Sequence, residues 1–387
     1  MLVCRRLLVL CAVAAIGACA SFHEAGGGDG ASDGRATAVE GGNPAPRDAA
    51  SDVSARRDVS TPERDAPSDS TLGDRSTPDA HIDVDHPIDA FSVVDARVDA
   101  AGCDAGGCPV EVVLDGLTQA TVVVVDSDNV YVSDPGTELG NVYQCAKTGC
   151  TTPIDLGQGQ ASGIVVTAGV VYWSDSTVGD IVSCAVGGCG GSASSVVPGQ
   201  SHADGLGFDG TRFYWSAGGA VVMTPTLAGG TLVTLATGLG NGVSPIASSG
   251  GAAYWLSALE LRACAFTGCG SSAHTVTPAV GGSVVAWGGD LFFVNNNAVV
   301  TCPASVTSCN PFTVGATSAP TGLASDGAFV YWLDQEENGV FRCPVLGCQE
   351  GVQMFATSQE SAEGAAIALD DDYVYWTDTT QVLRKHK

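Results

Sequence analysis

"VYWTD", residues 374–378, sets a β-branched side chain and two aromatics ahead of a hydroxyl and a carboxylate. Branched and aromatic residues pack well on a pleated surface, so the run reads as a strand. Near copies occur upstream: "VYVSD" (130–134), "VYWSD" (171–175), "FYWSA" (213–217), "AYWLS" (253–257), "LFFVN" (291–295) and "VYWLD" (330–334). The aromatic recurs at Tyr131, Tyr172, Tyr214, Tyr254, Phe292, Tyr331 and Tyr375, at intervals of 41, 42, 40, 38, 39 and 44 residues. A fixed period of this length marks a repeat architecture.

Working outward from each copy, the unit is the same. A small apolar strand precedes it, as in "SGIVVTAG" (162–169) or "TGLASDG" (321–327). A third strand follows, such as "NVYQC" (141–145), and then a fourth, such as "TPIDLG" (152–157). The strands are short, Val-rich and bounded by Gly, Asn, Asp and Pro. No run of helical periodicity lies between them. Four short strands per unit near a 40-residue period predict an all-β propeller with one blade per unit. Seven aromatic strands predict seven blades.

The aromatic strand resembles the YWTD repeat of low-density-lipoprotein-receptor-type propellers, which Tyr375–Asp378 spells in full. The similarity runs over about 110–387, with Asp closing the motif at Asp134, Asp175, Asp334 and Asp378. In that family the motif is structural. The resemblance implies aromatics packed between blades and aspartates tying the backbone of neighbouring repeats; it implies no ligand. Propellers of that family have six blades, so six is the second reading beside the count of seven.

The last unit, "GAAIALDDDYVYWTDTTQVLRKHK", holds three strands, while "CDAGGCPVEVVLDGL" near residue 103 starts as a cysteine loop and continues as a fourth strand. Unpaired strand edges are avoided in folded proteins. Pro109 to Asp115 should therefore pair antiparallel with Gln381 to His386 and close the ring.

The chain has 15 cysteines. Twelve form near-neighbour pairs: Cys103/Cys108, Cys145/Cys150, Cys184/Cys189, Cys264/Cys269, Cys302/Cys309 and Cys343/Cys348. Each pair brackets the turn between third and fourth strands. The blade around "VVMTPTLAGG" lacks both members. A zinc site needs four ligands, and a thioredoxin-like centre needs two-residue spacing and a helix. Facing residues of an antiparallel pair lie within disulfide reach. Disulfide staples in an oxidising compartment are the expectation.

The start, "MLVCRRLLVLCAVAAIGACAS", joins Arg5 and Arg6 to an apolar run, Leu7 to Ile16. That run is too short to span a bilayer, which takes about 20 residues, and suits a signal peptide over 1–18. "IGAC" resembles a bacterial lipobox, which implies lipid on Cys19; the alternative is an ordinary secretory signal. Residues 19–102 are rich in Asp, Ala, Ser and Pro without a periodic apolar face, so they read as a disordered acidic tether. The propeller takes 103–387. The expected location is a bacterial cell envelope, anchored by lipid at the outer membrane or its periplasmic face.

Formal net charge is −26, which disfavours nucleic acid and anionic lipid heads. No P-loop, Gly-x-Ser-x-Gly or His-Glu-x-x-His motif occurs. The acidic turns lack the dense alternating oxygens of a calcium loop. No cofactor and no metal are expected. Loops that lead into each blade converge at a propeller's channel mouth. They carry Gln158, Gln160, His202, Asp204, Asn241, Glu360 and Glu363 as candidate binding residues. The sequence thus reads as a monomeric binding or scaffold module for a protein, peptide or glycan. The rival is a hydrolase or lyase built on Asp204, Glu360 and Glu363.

Overall fold

A computed structural model describes residues 107–136, 139–239, 245–257, 259–304, 307–357 and 366–387. The signal, the tether, Cys19, Cys103, Asn241, Glu360 and Glu363 lie outside the described residues.

Strand β1 (Glu111–Asp115) comes first. Blade 1 is β2 (Val122–Val125), β3 (Asn129–Asp134), β4 (Asn141–Ala146) and β5 (Ile154–Gln158). Blade 2 is β6 (Ala161–Thr167), β7 (Val170–Asp175), β8 (Asp180–Ala185) and β9 (Ser194–Val197). Blade 3 is β10 (Asp204–Phe208), β11 (Phe213–Ala217), β12 (Ala220–Thr224) and β13 (Val233–Ala236). Blade 4 is β14 (Ile246–Ser249), β15 (Ala252–Ser257), β16 (Glu260–Ala265) and β17 (His274–Pro278). Blade 5 is β18 (Val284–Trp287), β19 (Asp290–Asn295), β20 (Ala298–Pro303) and β21 (Phe312–Ala316). Blade 6 is β22 (Pro320–Ser325), β23 (Phe329–Asp334), β24 (Gly339–Pro344) and β25 (Gln353–Thr357). Blade 7 is β26 (Ile367–Leu369), β27 (Tyr373–Asp378) and β28 (Gln381–His386).

These form seven four-stranded antiparallel sheets. The first strands touch one another in cyclic order, with β26 meeting β2. The architecture is therefore a seven-bladed β-propeller with its first strands around the central channel. No helix occurs among the described residues. The seventh sheet runs β26-β27-β28-β1. Leu114 pairs with Val382 and Asp115 with Gln381, so the N-terminal strand supplies the outer edge of the last blade as expected.

Alternation along the aromatic strand explains the repeat. Successive side chains of a strand point to opposite faces, and in a blade those faces meet two different neighbours. Tyr131 packs in one cluster with Trp173 of blade 2. Tyr214 does so with Trp255 of blade 4, and Tyr331 with Trp376 of blade 7. Tyr375 closes the ring against Val123 and Val130 of blade 1. Trp173, Trp215, Trp255, Trp332 and Trp376 are all fully buried.

Two of the closing aspartates bind the links between blades. Asp134 accepts the backbone N–H groups of Thr118 and Gln119, at 3.0 and 2.7 Å. Asp334 accepts the N–H of Ala319 at 2.7 Å and those of Glu336 and Glu337 in the next turn.

Five disulfides lie wholly among the described residues, Cys145–Cys150, Cys184–Cys189, Cys264–Cys269, Cys302–Cys309 and Cys343–Cys348, with Cα separations of 5.2–6.2 Å. Cys108 is disulfide-bonded as well. The pairs do not sit on facing strands. The first cysteine is the penultimate residue of the third strand and the second lies in the turn beyond it. That second residue reaches the preceding blade. The N–H of Cys150 donates to Val113 O, Cys269 to Leu235 O, Cys309 to Val276 O and Cys348 to Val314 O. Cys189 Sγ meets Leu156 O at 3.1 Å. Each staple thus braces a turn that clips one blade to the outer strand of the blade before it.

Candidate functional site

The two faces of the ring are built from different loops. On one face, segments joining successive blades bond to turns between second and third strands. Gly159 N–H donates to Gly140 O, Gln200 to Gly179 O, Gly218 to Ser201 O and Gln335 to Ala319 O. On the other face, turns between first and second strands bond to the cysteine turns, as in Lys147 N–H to Asp128 O and Phe266 N–H to Gly251 O.

Gln158, Gln160, His202 and Asp204 all belong to the first of these faces. Gln158 ends β5 and is exposed; Gln160 is half-buried, and its carbonyl accepts the Ser176 hydroxyl at 3.1 Å. Asp204 opens β10, half-buried. His202 is exposed and holds φ = 54°, a left-handed conformation uncommon for a side-chain-bearing residue. Its Nδ1 lies 3.1 Å from Ser201 Oγ. The separation of Asp204 from Glu360 and Glu363, on which the hydrolase reading turns, lies outside the described residues.

This face has a one-sided charge. No Lys or Arg occurs in any segment joining two blades, nor in any turn between second and third strands. Among the described residues carboxylates do occur there, at Glu336 and Glu337. The cations of the propeller lie in the strands or on the cysteine face, already engaged. Lys147 pairs with Asp370 at 2.6 Å, Lys387 with Asp326 at 3.0 Å, Arg212 with Asp209 at 3.3 Å and Arg262 with Glu260 at 3.2 Å. Lys385 donates to Phe355 O, and Arg342 to Gln353. No cluster of His, Cys, Asp or Glu suited to a metal occurs among the described residues.

An open groove of about 620 Å³ lies along the first strands of blades 3, 4 and 5 and the turns that follow them. Phe208, Ile246 and Val284 give it apolar walls, and Asp209, Tyr214, Ser248 and Ser249 give it polar atoms. The sequence reading missed these residues. One signal points to them: Gly250-Gly251, at the edge of the groove, replaces a side-chain-bearing turn.

Comparison with known proteins places the chain by shape. No family model matches it and no curated protein matches it. Among solved structures, virginiamycin B lyase from Staphylococcus aureus aligns over 72% of this chain and 99% of its own, at TM-score 0.58 and 13% identity. YCF48, solved bound to D1 peptide, aligns over 72% and 95%, at TM-score 0.54 and 10% identity. The WD40 domain of Toxoplasma gondii coronin aligns over 72% and 85%, at TM-score 0.51 and 7% identity. What these proteins share with the chain is the propeller fold.

Proposed function

We propose that the protein is a lipid-anchored, extracytoplasmic binding module that holds a basic segment of a protein or peptide on the face formed by the blade-joining loops. The observation that carries this reading is the absence of any Lys or Arg from those loops, on a frame whose aspartates pin the loops in place. Complementary charge steers and orients a partner. The left-handed His202, held on that face, adds a strained polar group to it. One solved propeller of similar fold is bound to a peptide. The disulfides fit an oxidising compartment, and "IGAC" supplies the anchor at Cys19.

Two experiments test it. Cys19→Ser should move the protein from the membrane fraction to the soluble one, or leave its signal uncut; unchanged fractionation and size overturn the anchor. Cross-linking on intact cells should capture a basic protein whose association weakens as salt rises. His202→Ala and Asp204→Ala should reduce capture more than Lys147→Ala on the opposite face. Equal losses at both faces overturn the assignment of the face.

A further inference from the structure

We infer that the boundary of blades 5 and 6 on the cysteine face is a docking surface for a zwitterionic lipid bilayer, which Trp287, Phe312 and Leu346 enter. The inference rests on the lipid anchor proposed above and on the reading of residues 19–102 as a tether.

The apolar patch is continuous. Trp287 ends β18 and is 50% exposed, whereas the other five tryptophans are fully buried. Its indole lies against Gly327, in the turn between the first and second strands of blade 6. The next residue, Ala328, accepts the N–H of Val345 through its carbonyl, which brings in the cysteine turn of blade 6. Leu346 follows in that turn and is 80% exposed. Phe312 opens β21, is 56% exposed, and lays its ring against Gly347. Phe312 and Leu346 wall one open groove of about 290 Å³. Contacts thus lead from the indole to the phenyl ring without a break. A single exposed leucine is ordinary; large apolar side chains joined in one exposed patch mark a contact surface.

The course of the chain selects the occupant. β28 runs towards the cysteine face, where Lys387 N–H donates to Asp372 O in the turn between the first and second strands of blade 7. β1 lies antiparallel to β28, with Glu111 opposite Arg384. The chain therefore enters β1 from the cysteine face, in the blade next to the patch. A flexible chain as long as residues 19–102 has a reach on the order of 50 Å. Tied to a bilayer by lipid on Cys19, it holds the propeller at the surface at an effective concentration on the order of a millimolar. Three side chains are too few to bring a protein from solution, but at that concentration their contact is occupied.

The chemistry selects the bilayer. An indole has an apolar body and a polar N–H, which suits the boundary between headgroups and acyl chains. Asp290 is exposed and stands across the Gly288-Gly289 turn from Trp287. Its carboxylate, on a chain of net charge −26, repels anionic heads and attracts the ammonium of a zwitterionic one. The same charge disfavours a second copy of the chain on this patch. With the cysteine face on the bilayer, the blade-joining loops point away from it, towards the partner proposed for them.

The test reads Trp287. The full chain is held on phosphatidylcholine vesicles whose acyl chains carry bromine, a short-range quencher. No tryptophan precedes Trp173, and every other one is buried, so quenching reports Trp287. Emission of the wild type should fall relative to unbrominated vesicles, and that of Trp287→Phe should not. Phe312→Ser combined with Leu346→Ser should reduce the quenching by about two-fold or more, with unchanged melting temperature. Val178→Ser, at a residue 65% exposed on the opposite face, should leave it as it is. Added phosphatidylglycerol should weaken it. No quenching, equal quenching in the double variant, an equal effect of Val178→Ser, or stronger quenching with phosphatidylglycerol would each overturn the assignment. So would a dimer in sedimentation that the double variant abolishes, which gives the patch to a second copy. Cys19→Ser separates the two readings. Added to excess vesicles, it should still be quenched, less than the wild type. Quenching equal to that of the wild type refutes the anchor and leaves the docking face standing. Absence of quenching in a wild type that stays on the vesicles refutes the face and leaves the anchor standing.

Discussion

Arg384 and Glu111 form an ion pair at 2.6 Å that joins the last strand of the chain to the first described one. The same guanidinium donates to Lys147 O at 2.6 Å and lies over the Tyr373 ring at 4.4 Å. One side chain therefore touches β28, β1 and blade 1. Beneath it, Val113, Leu114 and Leu117 are buried with Tyr375 and Val382. Loss of each such core side chain costs about 2–5 kcal/mol. A chain starting at Ala101 should fold, and one starting at Gln119 should melt well below it in calorimetry. Arg384→Met should cost far less, about 1 kcal/mol, because Glu111 is partly exposed. Equal melting temperatures for the two truncations would refute strand closure as the lock on the ring.

The disulfides give a prediction about boundaries between blades. Closing so short a loop is worth about 2 kcal/mol by the chain-entropy account. Cys343→Ala with Cys348→Ala should cost that much. Hydrogen exchange should locate the effect at the blade 5–blade 6 boundary, since Cys348 N–H binds Val314 O. Faster exchange confined to the hairpin of blade 6, with the boundary unchanged, would contradict the clip.

Blade count, strand order and ring closure were legible because each rests on side-chain pattern. Tyr131 and Trp173 recur at fixed spacing because every interblade core needs the same two faces filled. The clip at Cys150 was not legible, because it is a backbone bond to Val113 and leaves no mark on residue type. His202 and Asp204 could be assigned to a face, since strand order alone decides which loops share one. The groove could not be foreseen: it lies where the repeat fails, at Tyr214 and Ser248, and a consensus reading passes over departures from itself.

Acid should weaken the cysteine face. Burial alone would raise the carboxyls of Asp326 and Asp370. Hydrogen bonds outweigh it and hold both below the ordinary 3.8: Phe329 N–H and Lys387 for Asp326, Lys147 and Tyr373 N–H for Asp370. The unfolded chain therefore takes up protons first as pH falls. The stabilisation is complete above about pH 5 and is lost as pH drops below 3.8 through the folded values. Denaturant midpoints measured at pH 6, 4 and 3 should fall in the wild type and fall less in Lys387→Met. Self-repulsion of a chain with net charge −26 changes alike in both, so it cancels in the comparison. Parallel curves would remove Lys387 from the account.

The ring is not evenly spaced, and Gly163 shows why. A Cβ on Gly163 would lie 2.3 Å from the backbone N of Leu206, so β6 and β10 approach backbone to backbone. No disulfide clips blade 3 to blade 2 there. Close approach of the inner strands, with Tyr172 edge-on to Phe213 at 5.3 Å, holds that boundary instead. Gly163→Ala must push the two strands apart. Overpacking of this kind costs about 1–3 kcal/mol. Gly250→Asn is the control. It adds a side chain where nothing stands within 4 Å, in a left-handed turn that asparagine tolerates. Its stability should stay within about 0.5 kcal/mol of wild type. If Gly163→Ala proves as mild as Gly250→Asn in thermal melts, backbone contact is not what holds blades 2 and 3 together.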